Sequence, residues 1–176
     1  SWLSFDAVTR TFSGTPINGD VGALSLKVTA TDLAGAIVTS AFTLNVANTN
    51  DAPVVANALT TQAATEDTAF SFAVPAITFD DVDVGDTLTY SASMADGSPL
   101  PSWLSFDAVT RTFSGTPIND NVGALSLKVT ATDLAGAIVT SAFTLNVANT
   151  NDAPVVANAL TTQAATEDTA FSFAVP

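Results

Sequence analysis

The sequence predicts an all-β protein built from tandem two-sheet sandwich repeats of about seven strands each. Three observations lead there. Residues 1–75 recur as residues 102–176, an offset of 101, and only two of the 75 aligned positions differ: Gly19 is matched by Asp120, and Asp20 by Asn121. A period near 100 is too long for a solenoid repeat of roughly 20–50 residues and suits one independent sandwich. Apolar residues alternate with Thr, Ser and Asn, which is how a half-buried sheet reads. Turn residues punctuate the pattern about every 8–12 residues, and no stretch carries a capped 3.6-residue apolar period.

Residues 76–101 occur once, so the middle of the chain holds the complete repeat. The expected organisation is the C-terminal part of one repeat (1–51), a complete repeat (52–151) and the N-terminal part of a third (152–176). Val54-Val55-Ala56 opens an edge-like strand behind Pro53, which cannot donate to a ladder. Phe70 to Val74 alternates until Pro75 breaks it, and Thr87 to Ser91 alternates again. Ala95-Asp96-Gly97-Ser98-Pro99 is turn chemistry. Trp103, Leu104 and Phe106 precede a tight turn at Asp107 to Thr110, which leads into Arg111 to Gly115. Leu125, Leu127 and Val129 point one way, and Ser126, Lys128 and Thr130 the other. Asp133-Leu134-Ala135-Gly136 reads as a turn before Phe143, Leu145 and Val147, which alternate against Thr144 and Asn146. Ala-rich stretches raise the question of helix, but the Thr and Val beside them favour strand. Trp103 is expected to fill the core between the sheets.

Charge and composition narrow the function. Seventeen acidic residues stand against four basic ones, a net charge of −13. Nucleic acid and anionic membrane surfaces are poor partners, because both need clustered Lys and Arg. Divalent cations are the natural counter-ions. There is no Cys and no His, so disulfides, thiolate chemistry and the usual physiological-pH base are unavailable. Mean hydropathy is positive, yet no apolar run approaches the roughly 18 residues of a membrane span. No G-x-S-x-G elbow or phosphate-binding loop occurs, and Ser114-Gly115-Thr116-Pro117 is a turn string. Catalysis is not expected.

The acidic residues are patterned. Asp80 to Asp86 packs four carboxylates into seven residues. Left alone, close pairs repel by about 1 kcal/mol each in water, and a bound dication reverses the sign. Calcium accepts 6–8 oxygen ligands in flexible geometry, and carboxylates, Asn carbonyls and backbone carbonyls supply them. The segment is not an EF-hand loop: Gly85 falls at position 5 counted from Asp81, and no Glu stands at position 12. The competing reading is a solvated acidic loop, since Asp favours turns for local hydrogen bonding. Glu66-Asp67 likewise reads either as ligand or as an exposed strand-to-strand turn, and Asp133 either as ligand or as an ordinary hairpin residue.

Two sets of strings resemble a known family. Val129-Thr130-Ala131-Thr132-Asp133, then Phe143 to Val147, then Asn149-Thr150-Asn151-Asp152-Ala153-Pro154, resembles the end of a cadherin repeat with its Asx-rich linker. Leu100-Pro101-Ser102-Trp103-Leu104-Ser105-Phe106-Asp107 with Thr110 to Pro117 resembles the dystroglycan-type cadherin-like, or "putative Ig", tandem repeats of large bacterial surface adhesins. The resemblance implies an Ig/cadherin-like Greek-key sandwich with calcium at the junctions between repeats. For the first junction it implies linker ligands Asn48, Asn50 and Asp51 with Asp81, Asp83 and Asp133 of the following repeat. For the second it implies Glu66 with Asn149, Asn151 and Asp152, and Glu167 is the equivalent Glu of a third. Asn48 and Asn149 stand where animal cadherins carry Asp, and no mid-repeat DRE-like motif is evident, which implies weaker binding or fewer ions. One to three ions per junction are expected.

The function implied is a structural or adhesive extension module, extracellular or at the cell surface, with calcium stiffening the array. Implied partners are neighbouring repeats, self-association into fibres, and a cell-surface or polysaccharide ligand. The alternative is a carbohydrate-binding sandwich of a secreted protein. An exposed Trp103 would favour that alternative, and a buried one the spacer.

Overall fold

The computed structural model describes residues 1–175, and its regular structure is almost all strand. In the middle of the chain run β5 (Val54–Val55), β6 (Gln62–Thr65), β7 (Phe70–Ala73), β8 (Phe79–Asp80), β9 (Thr89–Met94), β10 (Leu104–Asp107), β11 (Thr112–Gly115), β12 (Gly123–Thr132) and β13 (Ile138–Ala148). Seven of these have four residues or more. One sheet has the order β6-β13-β12-β9 and the other β10-β11-β7, with β5 and β8 forming a short ladder of their own. All pairs are antiparallel except β6 with β13, which run parallel from Leu145↔Gln62 to Ala148↔Thr65. The chain crosses between sheets after β6, before β9, after β9 and after β11, the Greek-key manner of a two-sheet sandwich.

The alternation read from sequence sets the core. Leu127, Val129 and Ala131 of β12 and Leu145 of β13 are fully buried, with Phe143 and Val147 nearly so, while Ser126, Ala142 and Asn146 face solvent. Phe113 is the centre. Its ring lies 4.7 Å from that of Phe106, 5.5 Å from Phe143 and 6.5 Å from Phe72, spacings at which tilted and offset rings attract. Trp103 does not occupy this centre: it is half-buried and packs on the core from the margin. The reason is local. A Cβ on Gly115 would lie 2.0 Å from the Trp103 carbonyl oxygen and 3.1 Å from the indole, so β11 runs directly against Trp103, whose ring lies beside Gly115. Only glycine permits that approach.

Residues 1–47 repeat half of this arrangement. β1 (Leu3–Asp6) pairs with β2 (Thr11–Gly14) and β3 (Gly22–Thr31) with β4 (Ile37–Val46), each in the register of its copy. The two sequence differences are structurally silent. Asp20 Oδ2 accepts from Ile17 N at 2.9 Å, and Asn121 Oδ1 accepts from Ile118 N at 2.9 Å, so either residue closes the same 3-10 turn. A Cβ on Gly19 meets nothing within 4 Å, so Asp120 is tolerated there. Residues 152–175 contain turns but no strand.

Candidate metal centre at the linker

The acidic segment between β8 and β9 is built by its own backbone. Asp81 Oδ1 accepts from Asp83 N at 3.0 Å, and Asp83 O accepts from Asp86 N at 3.2 Å. Gly85, at φ +88, makes the left-handed turn that brings Asp86 back over the other two. One oxygen from each of Asp81, Asp83 and Asp86 then lies within 4.8 Å of the others. Asp86 is the member of this cluster that the sequence reading did not name as a candidate. The signal was the glycine before it, which the D-x-D spacing alone does not use.

The linker closes over this loop. Asp51 N donates to Asp83 Oδ2 at 2.7 Å, and Asn50 Nδ2 donates to Asp133 Oδ2 at 3.0 Å. Asp83 and Asp133 are both buried, at 6% and 5% exposure. The Asn50 amide holds the Asp133 carboxyl below its ordinary value; burial opposes this, and the turn N–H groups of Ala137, Gly136 and Ala135 add to it. Asp133 also accepts from Ala137 N at 2.7 Å, so it serves its hairpin turn and the linker together. Asn48 and Asn50 line one wall of an open cleft whose other wall is Asp83, Gly85 and Asp86. Thus the structure brings Asn48, Asn50, Asp51, Asp81, Asp83 and Asp133 to one place.

At the other end of the repeat, Glu66 opens the turn after β6 and is fully buried, while Asp67 and Thr68 of the same turn are exposed. Its Oε1 accepts from Thr150 N at 2.5 Å, and its own N–H bonds Ala148 O, so it reaches the second linker from the end of β6. Asn149 and Asn151 make only local bonds, to Thr150 O and Asp152 O. Asp152 Oδ2 accepts from Asn119 at 2.8 Å, as Asp51 Oδ2 accepts from Asn18 at 2.7 Å, so both linkers leave their sandwiches in the same way.

The chemistry of these groups is unbalanced as protein alone. Among the described residues, the buried side-chain polar atoms without a hydrogen-bond partner are Glu66 Oε2, Asp81 Oδ2, Asp83 Oδ1 and Arg111 Nε. Three of the four are carboxylate oxygens of residues named above. An orphaned buried acceptor costs about 1–3 kcal/mol, and more when charged. A hard cation with oxygen ligands is what such a set fits.

Fold and site together define a cadherin-like Ig sandwich with acidic linkers. A family model described as "Putative Ig domain" matches residues 1–47 and 52–148, and the chain belongs to this family. It is 30% identical over 163 residues to the serine-rich adhesin for platelets of Staphylococcus aureus strain USA300, a match that takes in 93% of this chain and 7% of the adhesin. The counterpart in strain MRSA252 matches at the same identity over 11% of its length, so the chain spans a small part of these relatives. Among solved structures, human mucin-like protocadherin EC1-2 superposes with a TM-score of 0.63 at 16% identity, covering 84% of this chain and 78% of that one. Protocadherin gamma B2 extracellular cadherin domains 1–5 gives 0.65 at 17%, covering 86% and 32%. Identities this low speak for the fold. No helix among the described residues is long and apolar enough to cross a membrane.

Proposed function

We propose that the chain is an extension module of an extracellular adhesive array, with calcium at each linker fixing one sandwich against the next. The observation that carries this reading is the set of orphaned carboxylate oxygens, all on residues that face a linker: Asp81 and Asp83 before the repeat, Glu66 after it. At the first linker, Asp81, Asp83 and Asp86 would hold the ion, with Asp51, Asp133 and the Asn48 and Asn50 amides beside them. At the second, Glu66 would act with Asn149, Asn151 and Asp152. Asn50 now offers its N–H to Asp133, doing with a dipole what a cation would do with charge. Cation binding would turn the amide to present its oxygen.

Similarity to an adhesin supports the surface location and adhesive role. Near-identical repeats supply reach in proportion to their number, each adding a strand length of about 35 Å plus linker. The charge supports a switch in which the chain stays loosely folded until it meets calcium outside the cell, since extracellular modules bind at roughly 10⁻⁴–10⁻³ M. Trp103 and Tyr90, the platform a sugar-binding module would need, both pack on the core, which favours the spacer over the carbohydrate reading. The test is thermal unfolding across a calcium titration, for the wild type and for Asp81→Ala/Asp83→Ala. A melting temperature that climbs with calcium only in the wild type supports the reading. A wild type indifferent to calcium refutes it.

A further inference from the structure

The two linkers are fastened to their sandwiches by the same clamp, and the clamps differ in one chemical respect. Asn18 Nδ2 donates to Asp51 Oδ2 at 2.7 Å, and Asn119 Nδ2 donates to Asp152 Oδ2 at 2.8 Å. Each Asn opens a three-residue 3-10 turn, Asn18–Asp20 in one copy and Asn119–Asn121 in the other, behind an extended Ile. The residue that follows is Gly19 in the first copy and Asp120 in the second. Asn18 is the one asparagine of the sequence with a glycine after it.

In such a pair the asparagine side chain can react with the backbone of its neighbour. Glycine leaves the following N–H uncovered by any Cβ and lets the chain swing through conformations closed to other residues. Both conditions hold at Gly19. It is exposed, and a Cβ built on it would meet nothing within 4 Å, so nothing packs over it. The turn is held by Asp20 N donating to Ile17 O at 2.8 Å, Val21 N to Asn18 O at 3.3 Å and Ile17 N to Asp20 Oδ2 at 2.9 Å, none of which uses the Gly19 N–H. A lone 3-10 turn with so few bonds opens locally at low cost. The surface position belongs to the fold: in the complete repeat, with β5 to β9 in place, Asn119 and Asp120 are exposed as well.

We propose that Asn18 is a site of spontaneous deamidation that unfastens the first linker. The Gly19 nitrogen gives up its proton to a solvent base and attacks Cγ of Asn18. The Cγ–Nδ2 bond breaks, and the side-chain nitrogen takes a proton and leaves as ammonia. Water then opens the five-membered imide at either carbonyl, giving aspartate or isoaspartate. One water is consumed, one ammonia is released, and nothing is oxidised or reduced. The product has lost the donor that held Asp51 and carries a carboxylate facing it, so an attraction becomes a like-charge repulsion. Asp51 also donates its N–H to Asp83 Oδ2 at 2.7 Å, so the loosening reaches the following repeat directly. At the second linker the Asp120 side chain crowds the nitrogen and its charge opposes loss of the N–H proton, so the clamp there persists. The step needs no cation and stands apart from the calcium reading.

The test is mass spectrometry of the folded chain aged in mildly alkaline, calcium-free buffer. Cleavage after Arg10, Lys27, Arg111 and Lys128, the four basic residues of the chain, releases residues 11–27 and 112–128, which differ in sequence and report on Asn18 and Asn119 separately. The expected result is that 11–27 exchanges its amide NH₂ for OH at least about tenfold faster than 112–128, a barrier lower by about 1.4 kcal/mol. Gly19→Asp should bring 11–27 down to the rate of 112–128, and Asp120→Gly should raise 112–128 to the rate of 11–27. Asn18→Asp, which stands for the product, should speed hydrogen exchange at the Asp51 N–H, whereas Asn119→Asp should leave it unchanged. Equal rates in the two peptides, a Gly19→Asp chain that still reacts at the wild-type rate, or an Asp51 N–H that exchanges alike in wild type and Asn18→Asp overturns the proposal.

Discussion

Replacing Asp83 by Asn should raise stability without calcium and lower it with calcium. Asp83 Oδ2 accepts from Asp51 N, and an amide oxygen can keep that bond. Its other oxygen is buried and without a partner, and one oxygen of the carboxylate lies within 4.8 Å of an oxygen of Asp81 and of Asp86. The amide N–H₂ would donate where two like charges now meet. At water-like screening each of the two repulsions is worth ~0.9 kcal/mol at this spacing, so removing both stabilises by about 1–2 kcal/mol. A domain of this size gains about 4–8 °C per kcal/mol, which gives a rise of about 4–16 °C in chelator. In millimolar calcium the order inverts, because the variant has lost a charged ligand. Differential scanning calorimetry of both chains in chelator and in 10-fold steps of calcium reads the crossing. A variant that melts below the wild type in chelator would refute the reasoning, since the carboxylate would then be stabilising by itself.

Three further outcomes follow from the sandwich. Phe113→Ala should cost about 3–5 kcal/mol by denaturant unfolding, because the ring is fully buried among Phe72, Phe106 and Phe143; Phe12→Ala should cost clearly less, since its site is open on one side. Gly115→Ala should force β11 off the Trp103 backbone, with a loss of about 1–3 kcal/mol or more and a red shift of tryptophan emission. Asp107 accepts from Thr110 N and Val109 N in the β10–β11 turn, and these bonds hold its carboxyl below the ordinary value. Stability from a depressed carboxyl is present above the unfolded value and lost as pH falls through the folded one. Asp107→Ala should therefore melt below the wild type at neutral pH, with the gap closing as pH drops below about 4, read by melting temperature against pH.

The long strands were legible because one face of each is apolar: Leu125, Leu127 and Val129 in β12, and Phe143, Leu145 and Val147 in β13. β13 begins five residues before that pattern does, at Ile138, where the ladder to Thr132 extends past the buried face. β6 was not legible. Gln62-Ala63-Ala64-Thr65 has little apolar contrast and becomes a strand by pairing with the end of β13. β8 is two residues, held by β5. Trp103 was read as core because a lone Trp usually is; it is half-buried against the core, beside Gly115, a closeness invisible in one dimension. At the linker, the sequence supplied the carboxylates but not Asp86, whose position depends on the left-handed turn at Gly85.

The most direct test of the central claim is diffraction from crystals of this chain grown in calcium, with anomalous scattering used to locate the ion. The account predicts a calcium peak at about 2.3–2.6 Å from carboxylate oxygens of Asp81, Asp83 and Asp86, with the Asn50 amide oxygen turned toward it. Density at that loop carrying no anomalous signal, with Asn50 still donating to Asp133, would contradict the account.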